Sequence, residues 1–257
     1  MGPQRGNAVI RTVIVGASSG LGRSIAVGLG RRGARVALLA RRHDRLVEAA
    51  KEAGPESLAI SCDVTDTASC HQAIEEAANG LGGIDALLYA PAIGPLGPLL
   101  KVDAETWRKM FDTNVIGAAL VTAAAIPHLT EAHGVAAYLS SVNGSITAPW
   151  PGLGAYATSK AALETMVEAW RVEHPGVGFT RVIVGDCAGG EGPSTTEFAN
   201  NWDMELFSEF HPVWAARGLL SGSLVDVEEL IGVVDLVLRC GATANIPSVA
   251  VIPRPPA

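Results

Sequence analysis

The chain has 257 residues, of which 48% are hydrophobic and 18% charged, with a formal net charge of −7. This composition excludes a disordered chain, and an acidic balance without a basic run argues against nucleic acid or anionic membranes as partners. The polar residues 1–7 are too few for a signal peptide, and no stretch approaches the roughly 18 unbroken apolar residues of a membrane span. Four cysteines without paired spacing indicate free thiols in the cytoplasm, and the histidines show no metal-ligand spacing.

Short apolar runs alternate with helical patterns from one end of the chain to the other. The predicted strands are Val9–Val15, Arg35–Ala40, Leu58–Cys62, Ile84–Tyr89, Val135–Ser140, Phe179–Val184 and Val249–Ile252. The predicted helices are Leu21–Arg32, Asp44–Ala53, Ala68–Leu81, Ala104–His128, Tyr156–His174, Glu205–Trp214 and Val227–Arg239. Alternation of this kind indicates βαβ crossovers in a parallel sheet. The sequence therefore predicts one α/β domain over residues 1–257, a Rossmann-type doubly wound parallel sheet of about seven strands flanked by helices.

A glycine-rich turn, Gly16-Ala17-Ser18-Ser19-Gly20-Leu21-Gly22, joins the first predicted strand to the first helix. Glycines at this place let the backbone approach a pyrophosphate, and the helix N-terminus offers free N–H groups and a favourable dipole. A tight turn without a ligand would use the same residues. The position in the first βα unit favours dinucleotide binding.

The end of the second predicted strand reads Leu39-Ala40-Arg41-Arg42 and carries no acid. An acid at this place accepts hydrogen bonds from the adenosine ribose hydroxyls, whereas guanidinium groups bind a 2′-phosphate. Arg41 first and Arg42 second are therefore candidates for binding NADP(H). Both residues would also suit a solvated helix start.

Tyr156 and Lys160 lie four residues apart at the start of a predicted helix, so they share one helical face. A free tyrosine, with a pKa of about 10, is a poor base at neutral pH. A lysine cation nearby favours the phenolate and lowers that pKa. The pair alone also fits many surface helices, but a strand that ends at Ser140-Ser141 precedes it.

Together these motifs resemble those of the short-chain dehydrogenase/reductase superfamily, and the resemblance covers the chain up to Val184. It places Gly16, Gly20 and Gly22 on the three glycines of the family. It implies a catalytic set of Asn114, Ser141, Tyr156 and Lys160. Within that set, Ser141 rather than Ser140 takes the serine position, and Asn114 holds a water beside Lys160.

The resemblance also implies contacts with the cofactor. The residues concerned are Gly16, Ser18, Ser19, Gly20, Leu21, Gly22, Arg41, Arg42, Asp63, Val64, Ala90, Tyr156, Lys160 and Thr196. Asp63 is assigned to the adenine ring, although a turn cap is an equally ordinary role for it. Two departures occur together, since Val15 replaces the family threonine and Tyr89–Ala92 replaces the Asn-containing turn that hydrogen-bonds this threonine in the family. Losing both partners of one hydrogen bond is nearly neutral for stability.

A segment that covers the substrate is predicted over residues 186–220. Residues 194–214 alone contain three of the five Phe and two of the five Trp residues of the chain. An aromatic cleft suits a hydrophobic carbonyl compound, and the expected substrate contacts are Ser141, Trp150, Tyr156, Phe198 and Trp202. The aromatic residues would alternatively pack under the segment or between subunits. Glycines 189, 190 and 192 are candidate hinge points.

The sequence thus predicts an NADP(H)-dependent oxidoreductase that interconverts a carbonyl and a secondary alcohol in a small molecule. Two alternatives stay open, namely an NADP(H)-binding regulatory or sensor protein without turnover, and epimerisation or dehydration on the same fold. The helix from Tyr156 is apolar around more than one face, which predicts burial on two sides. With the resemblance to a family of dimers and tetramers, this indicates a homo-oligomer, with a homotetramer expected.

Overall fold

The computed structural model describes residues 9–240 and 243–255, so the sequence prediction for residues 1–7 lies outside the described residues. A parallel sheet with the strand order β3-β2-β1-β4-β5-β6-β7 forms its centre. The strands are β1 Arg11–Val15, β2 Arg35–Ala40, β3 Leu58–Ser61, β4 Ala86–Tyr89, β5 Val135–Ser141, β6 Gly178–Val184 and β7 Ser248–Val251. The predicted seven-stranded Rossmann-type sheet is confirmed, and strand bounds differ from the predicted ones by at most two residues.

Helices cover both faces of the sheet. They are α1 Gly20–Arg31, α2 His43–Ala53, α3 Thr67–Leu81, α4 Ala104–Phe111, α5 Gly117–Ala132, α6 Val142–Ser145, α7 Gly154–Glu173, α8 Met204–Ala216 and α9 Val227–Leu238. Because strand residues alternate between faces, Ile14 of β1 packs with the core that includes Ile25 and Leu230. Its neighbour Val13 packs with the core that includes Val121 and Leu163. β1 therefore packs against helices on both faces of the sheet.

The single helix predicted over Ala104–His128 is wrong in its continuity. A π-helical turn, Asp112–Ile116, separates α4 from α5. Within this turn the Thr113 carbonyl accepts a hydrogen bond from the buried Tyr89 hydroxyl, and the Asn114 amide turns toward the backbone of Ile93. The turn thus contacts Tyr89 at the end of β4 and Ile93 in the loop that follows it, and π-helical turns of this kind occur mostly as single turns within α-helices.

The combined helix Ala104–Ala132 is long and apolar enough to cross a membrane by length and composition, with a mean hydropathy of 1.4 over its most apolar window. The sequence prediction of no membrane span considered only unbroken apolar runs and did not consider the mean hydropathy of a longer window. A core helix of a soluble protein passes the same test, and one third of the window is buried inside this chain. The finding is weak support for a membrane span and leaves an apolar surface to be covered.

The carboxyl ends of all seven parallel strands meet at one edge of the sheet. At this edge β1 and β4 are neighbours although two strands separate them in the chain. Such a reversal of strand order opens a crevice in which open α/β sheets bind ligands. The glycine-rich turn follows β1 and Ala90 follows β4, so both lie at this crevice.

Candidate active site and cofactor site

Three predicted catalytic side chains converge at the end of β5. Ser141 is the last residue of that strand, while Tyr156 and Lys160 lie in the first two turns of α7. The Ser141 hydroxyl hydrogen-bonds the Tyr156 side chain. The Lys160 Nζ lies 5.8 Å from the centroid of the Tyr156 ring. The structure thus brings together a proton donor, a second hydroxyl and a cation.

The two adjacent serines of β5 have different surroundings, because successive strand residues face opposite sides of the sheet. Ser140 is buried and donates a hydrogen bond to Glu164. Ser141 is more exposed and contacts Tyr156. The structure thus places Ser141, and not Ser140, beside Tyr156, and the role of Ser141 at the substrate oxygen stays a prediction.

Burial dominates the electrostatics of Tyr156 and raises its pKa to about 12, although the hydrogen bond with Ser141 opposes the shift. The net shift is therefore upward, and the lowering effect expected from Lys160 stays a prediction. The Lys160 Nζ donates to the Leu139 carbonyl oxygen at 2.7 Å. Tyr156 is consequently a neutral acid at neutral pH.

Burial also lowers the pKa of Lys160 to about 8, while the charge of Glu164 opposes this shift. Glu164 is itself 4% exposed and accepts hydrogen bonds from the hydroxyls of Ser140 and Ser145. An Arg181 nitrogen lies 3.6 Å from its second oxygen. Sequence reasoning missed Glu164, although its position four residues after Lys160 places both on one face of α7.

Asn114 joins the loop after β4 to α7. Its Oδ1 accepts from the Ile93 backbone N–H at 2.8 Å, and its Nδ2 donates to the Ile93 carbonyl at 2.8 Å and to the Ser159 hydroxyl at 2.9 Å. Ser159 in turn donates to the Tyr156 carbonyl. Asn114 therefore supports the helix segment that carries Tyr156 and Lys160, and the predicted water between Asn114 and Lys160 stays a prediction.

The predicted cradle for a pyrophosphate has the backbone that such a group requires. Gly16 and Gly20 adopt positive φ angles of 81° and 57°. A Cβ on Gly22 would lie 2.3 Å from the Gly16 carbonyl oxygen, so only glycine lets α1 approach the end of β1 this closely. Among the described contacts, Ser19 makes no side-chain cap to α1 and accepts a hydrogen bond from Arg42 instead. The N–H groups of the first turn therefore fit an anion.

A polar cluster lies beside this cradle. Arg42 donates to the hydroxyls of Ser18 and Ser19 at 2.9 and 2.7 Å. Arg42 and Arg45 also bind the carboxylate of Glu197 at 2.8 and 2.6 Å. Of the two predicted arginines, the structure brings Arg42 to the turn.

Two members of this cluster were missed by sequence reasoning. Arg45 lies within α2, one helical turn after the residues that the sequence singled out, while Arg41 itself is exposed. Glu197 is carried on the segment after β6. Helical spacing from Arg41 or Arg42 is the sequence signal that could have identified Arg45.

Asp63 has the alternative role that the sequence left open, a turn cap. Its Oδ1 accepts from the backbone N–H of Thr65 at 3.0 Å and from the Thr65 hydroxyl at 2.8 Å. These two hydrogen bonds lower the pKa of Asp63. Its neighbour Val64 is buried against the core. A contact between Asp63 and an adenine ring stays a prediction.

The turn after β4 is closed by backbone atoms, because the Ala90 N–H donates to the Val15 carbonyl at 3.1 Å. The Tyr89 side chain, which stands in the Asn-containing turn of the resembled family, points into the core instead. Its hydroxyl reaches Thr113, and a Cβ on Gly117 would come within 2.7 Å of it. The turn thus keeps its shape without the expected side-chain hydrogen bond.

Of the three predicted aromatic substrate residues, Phe198 lies against Tyr156 and Trp202 packs on Phe198. The Phe198 ring centroid is 4.9 Å from that of Tyr156, and Trp202 packs on Phe198 at 5.6 Å. Trp150 is 8% exposed and packs on Trp214 at 5.4 Å, within a small aromatic core between the loop after α6 and α8. Packing under the segment therefore describes Trp150 better than substrate contact.

The segment between β6 and α8 crosses the glycine-rich turn. The Thr196 Cα lies 3.4 Å from the place where a Cβ on Gly20 would stand. The Ser24 hydroxyl on α1 donates to the Ser194 carbonyl at 3.3 Å, and the Gly190 N–H donates to Ser24 at 3.2 Å. Thr196 is thus beside the pyrophosphate cradle, and its contact with the cofactor stays a prediction.

Comparison with known proteins agrees with this geometry. The model of the short chain dehydrogenase family matches residues 11–201. The chain is 35% identical over 179 residues to 11-beta-hydroxysteroid dehydrogenase A of Sesamum indicum, which covers 67% of this chain and 51% of that protein. The chain spans about half the length of the first curated relatives it matches.

Solved structures share the fold. A short-chain type dehydrogenase/reductase from Mycobacterium marinum matches with a TM-score of 0.82 and 26% identity, covering 97% of this chain and 96% of that one. An alcohol dehydrogenase from Thermococcus sibiricus, complexed with 5-hydroxy-NADP, matches with a TM-score of 0.78 and 22% identity, covering 95% and 96%. The second likeness is one of fold alone.

Proposed function

Since the chain belongs to the short-chain dehydrogenase family, we propose that it is an NADP(H)-dependent oxidoreductase that interconverts a carbonyl group and a secondary alcohol. The observation that carries the proposal is the convergence of Ser141, Tyr156 and Lys160 at the same edge of the sheet as the glycine-rich turn. A protein that only senses a dinucleotide has no chemical need for this set of side chains.

Each residue has a defined role in carbonyl reduction. Tyr156, neutral because burial raises its pKa, donates a proton to the developing alkoxide. Ser141 donates a hydrogen bond to the same oxygen and stabilises the charge where it forms. Lys160, held by the Leu139 carbonyl, favours the phenolate that remains after proton transfer. When bound, the nicotinamide dinucleotide supplies the hydride.

The choice of NADP(H) over NAD(H) is supported by Arg42, which donates to the Ser18 and Ser19 hydroxyls at the cradle, and by Arg45, which binds the same Glu197 carboxylate as Arg42. Each charge-assisted hydrogen bond to a 2′-phosphate contributes roughly 1.5–3 kcal/mol, which corresponds to at least about tenfold discrimination. Dissociation constants for NADPH and NADH, measured by fluorescence titration at physiological salt, test the choice. We expect NADPH to bind at least about tenfold more tightly, and equal constants would overturn the assignment.

A hydrophobic carbonyl compound is the substrate class we propose. Phe198 and Trp202 support it, because they present apolar rings beside the proton donor. The relative from Sesamum indicum carries a hydroxysteroid, a bulky apolar alcohol, in its name. NADPH consumption with ketones of increasing apolar bulk tests this class. We expect kcat/KM to rise with bulk, whereas equal activity on small polar carbonyls would contradict it.

We also propose a homo-oligomer. The outward face of α7 includes the exposed apolar residues Ala161, Ala169 and Val172, and Val172 is 81% exposed. The apolar helix α5 begins directly after Ile116, which is also exposed. Covering these surfaces with a second copy buries apolar area that water would otherwise contact. Light scattering at micromolar concentration tests the proposal. A dimeric or tetrameric mass is expected, and a monomeric mass would refute it.

A further inference from the structure

One carboxylate occupies the guanidinium groups that we assign to the cofactor phosphate. Glu197 accepts from Arg42 through one oxygen at 2.8 Å and from Arg45 through the other at 2.6 Å. Arg42 at the same time holds Ser18 and Ser19. A carboxylate bound through both oxygens by two arginines beside two hydroxyls presents its charge where a phosphate monoester would make the same hydrogen bonds.

The backbone holds Glu197 in this position from both sides. The Thr196 N–H donates to the Ala188 carbonyl at 2.8 Å, and the Phe198 N–H donates to the Thr196 hydroxyl at 3.3 Å. Phe198 is further fixed by its packing against Tyr156. The acid therefore reaches the arginines from an ordered segment, more than 150 positions away in the chain.

We propose that Glu197 is a specificity-determining residue whose carboxylate competes with the 2′-phosphate of NADP(H) for Arg42 and Arg45. The inference rests on the proposed function, since it concerns the same cofactor. A 2′-phosphate carries a charge of about −1.5 to −2 and three acceptor oxygens, as phosphate monoesters do at pH 7. It therefore displaces a single carboxylate, and the competition weakens NADP(H) binding without preventing it.

The competing charge persists over the working pH range. Hydrogen bonds from Arg45 and then Arg42 hold the pKa of Glu197 at about 2. A phosphate monoester loses part of its charge below pH 6. Acidification thus weakens the phosphate before it neutralises Glu197.

Removing the charge of Glu197 is the direct test. We expect Glu197→Gln to tighten binding of NADPH by about threefold to tenfold. This factor corresponds to the summed free energies of the two partly exposed ion pairs that the 2′-phosphate no longer has to displace. Binding of NADH stays within twofold of wild type, because NADH has a hydroxyl in place of the phosphate. Calorimetry with 2′,5′-ADP and 5′-AMP repeats the comparison with probes that carry no nicotinamide and need no turnover.

Two further variants separate the proposal from a general charge effect. Glu191→Gln removes an exposed acid from the same segment and is expected to leave all four dissociation constants unchanged. In an Arg45→Met background, Glu197→Gln is expected to tighten 2′,5′-ADP by a smaller factor, since one of the two contested guanidinium groups is absent.

The outcomes distinguish the two proposals. Equal affinity of the wild type for NADPH and NADH overturns the assignment of NADP(H). If the wild type prefers NADPH, two results for Glu197→Gln overturn the role of Glu197. The first is that the variant binds 2′,5′-ADP no more tightly than wild type does, and the second is that it binds all four ligands more tightly to the same extent. Selective tightening of 2′,5′-ADP in Glu197→Gln supports it in either case.

Discussion

The ring of Phe198 lies against the ring of Tyr156, with centroids 4.9 Å apart and planes inclined by 59°. Tyr156 belongs to α7 and Phe198 to the segment after β6, so this contact joins the proposed proton donor to the proposed substrate cover. Phe198 is half-buried and is itself packed by Trp202. A substrate carbonyl that reaches Tyr156 therefore contacts or displaces the Phe198 ring.

Phe198→Ala is expected to raise KM for bulky hydrophobic ketones by about tenfold, because a lost aromatic contact costs on the order of 1–2 kcal/mol. NADPH affinity should change much less than this KM, because Phe198 affects the arginine cluster only through its neighbour Glu197. Phe210→Ala, which removes a ring that stacks on Trp214 in the same part of the chain, is the matched control. A similar rise in KM for small polar carbonyls would show that Phe198 is a packing residue.

Substitution of the two adjacent serines of β5 should affect different properties, catalysis for Ser141 and stability for Ser140. Ser141→Ala removes the hydrogen bond to the substrate oxygen and should lower kcat by about 10²–10³. Ser140→Ala takes a partner from the buried Glu164 and should lower the free energy of unfolding by about 1–3 kcal/mol. Steady-state kinetics and urea unfolding of both variants check this. Larger loss of kcat in Ser140→Ala than in Ser141→Ala would reverse the assignment.

The buried Lys160 makes stability depend on pH in a defined direction. Its pKa is about 8 in the folded protein and about 10.4 in an unfolded chain. Below pH 8 both states bind the proton and the folded state bears the full cost of burying the cation. Between pH 8 and about 10.4 the unfolded state binds more protons, so stability rises with pH.

Lys160→Met removes this cost, so the variant should be more stable than wild type. Its free energy of unfolding should exceed that of wild type by the largest amount at pH 7. The advantage should shrink by at most about 3 kcal/mol as pH rises to 10.4. Urea unfolding at several pH values measures the difference, with Lys101→Met at an exposed position as control. A difference that does not vary with pH would mean that Lys160 is not desolvated as described.

Local sequence signals were sufficient where neighbours in the chain determine the structure. The bounds of β2, Arg35–Ala40, were predicted without error because an apolar run is bounded by Gly33 on one side and by charged residues on the other. Tyr156 and Lys160 were found because their contact depends only on helical spacing. The choice of Ser141 followed from the resemblance, and the structure places this residue beside Tyr156.

Contacts between distant segments could not be read from the sequence. The π-helical turn around Asn114 depends on Tyr89 and Ile93, which lie more than 20 residues earlier. The pairing of Arg45 with Glu197 depends on how the segment after β6 crosses the sheet edge. The raised pKa of Tyr156 required its burial to be known, since the sequence indicated only a nearby lysine.

Tyr156→Phe tests the central claim most directly, because it removes the proton and keeps the ring that packs on Phe198. NADPH oxidation with a hydrophobic ketone and the dissociation constant for NADPH should be measured on the same preparation, with wild type beside it. Turnover is expected to fall at least about 10²-fold, as loss of general acid catalysis implies, while the NADPH dissociation constant stays within about twofold. A variant that retains most of its turnover would contradict the account.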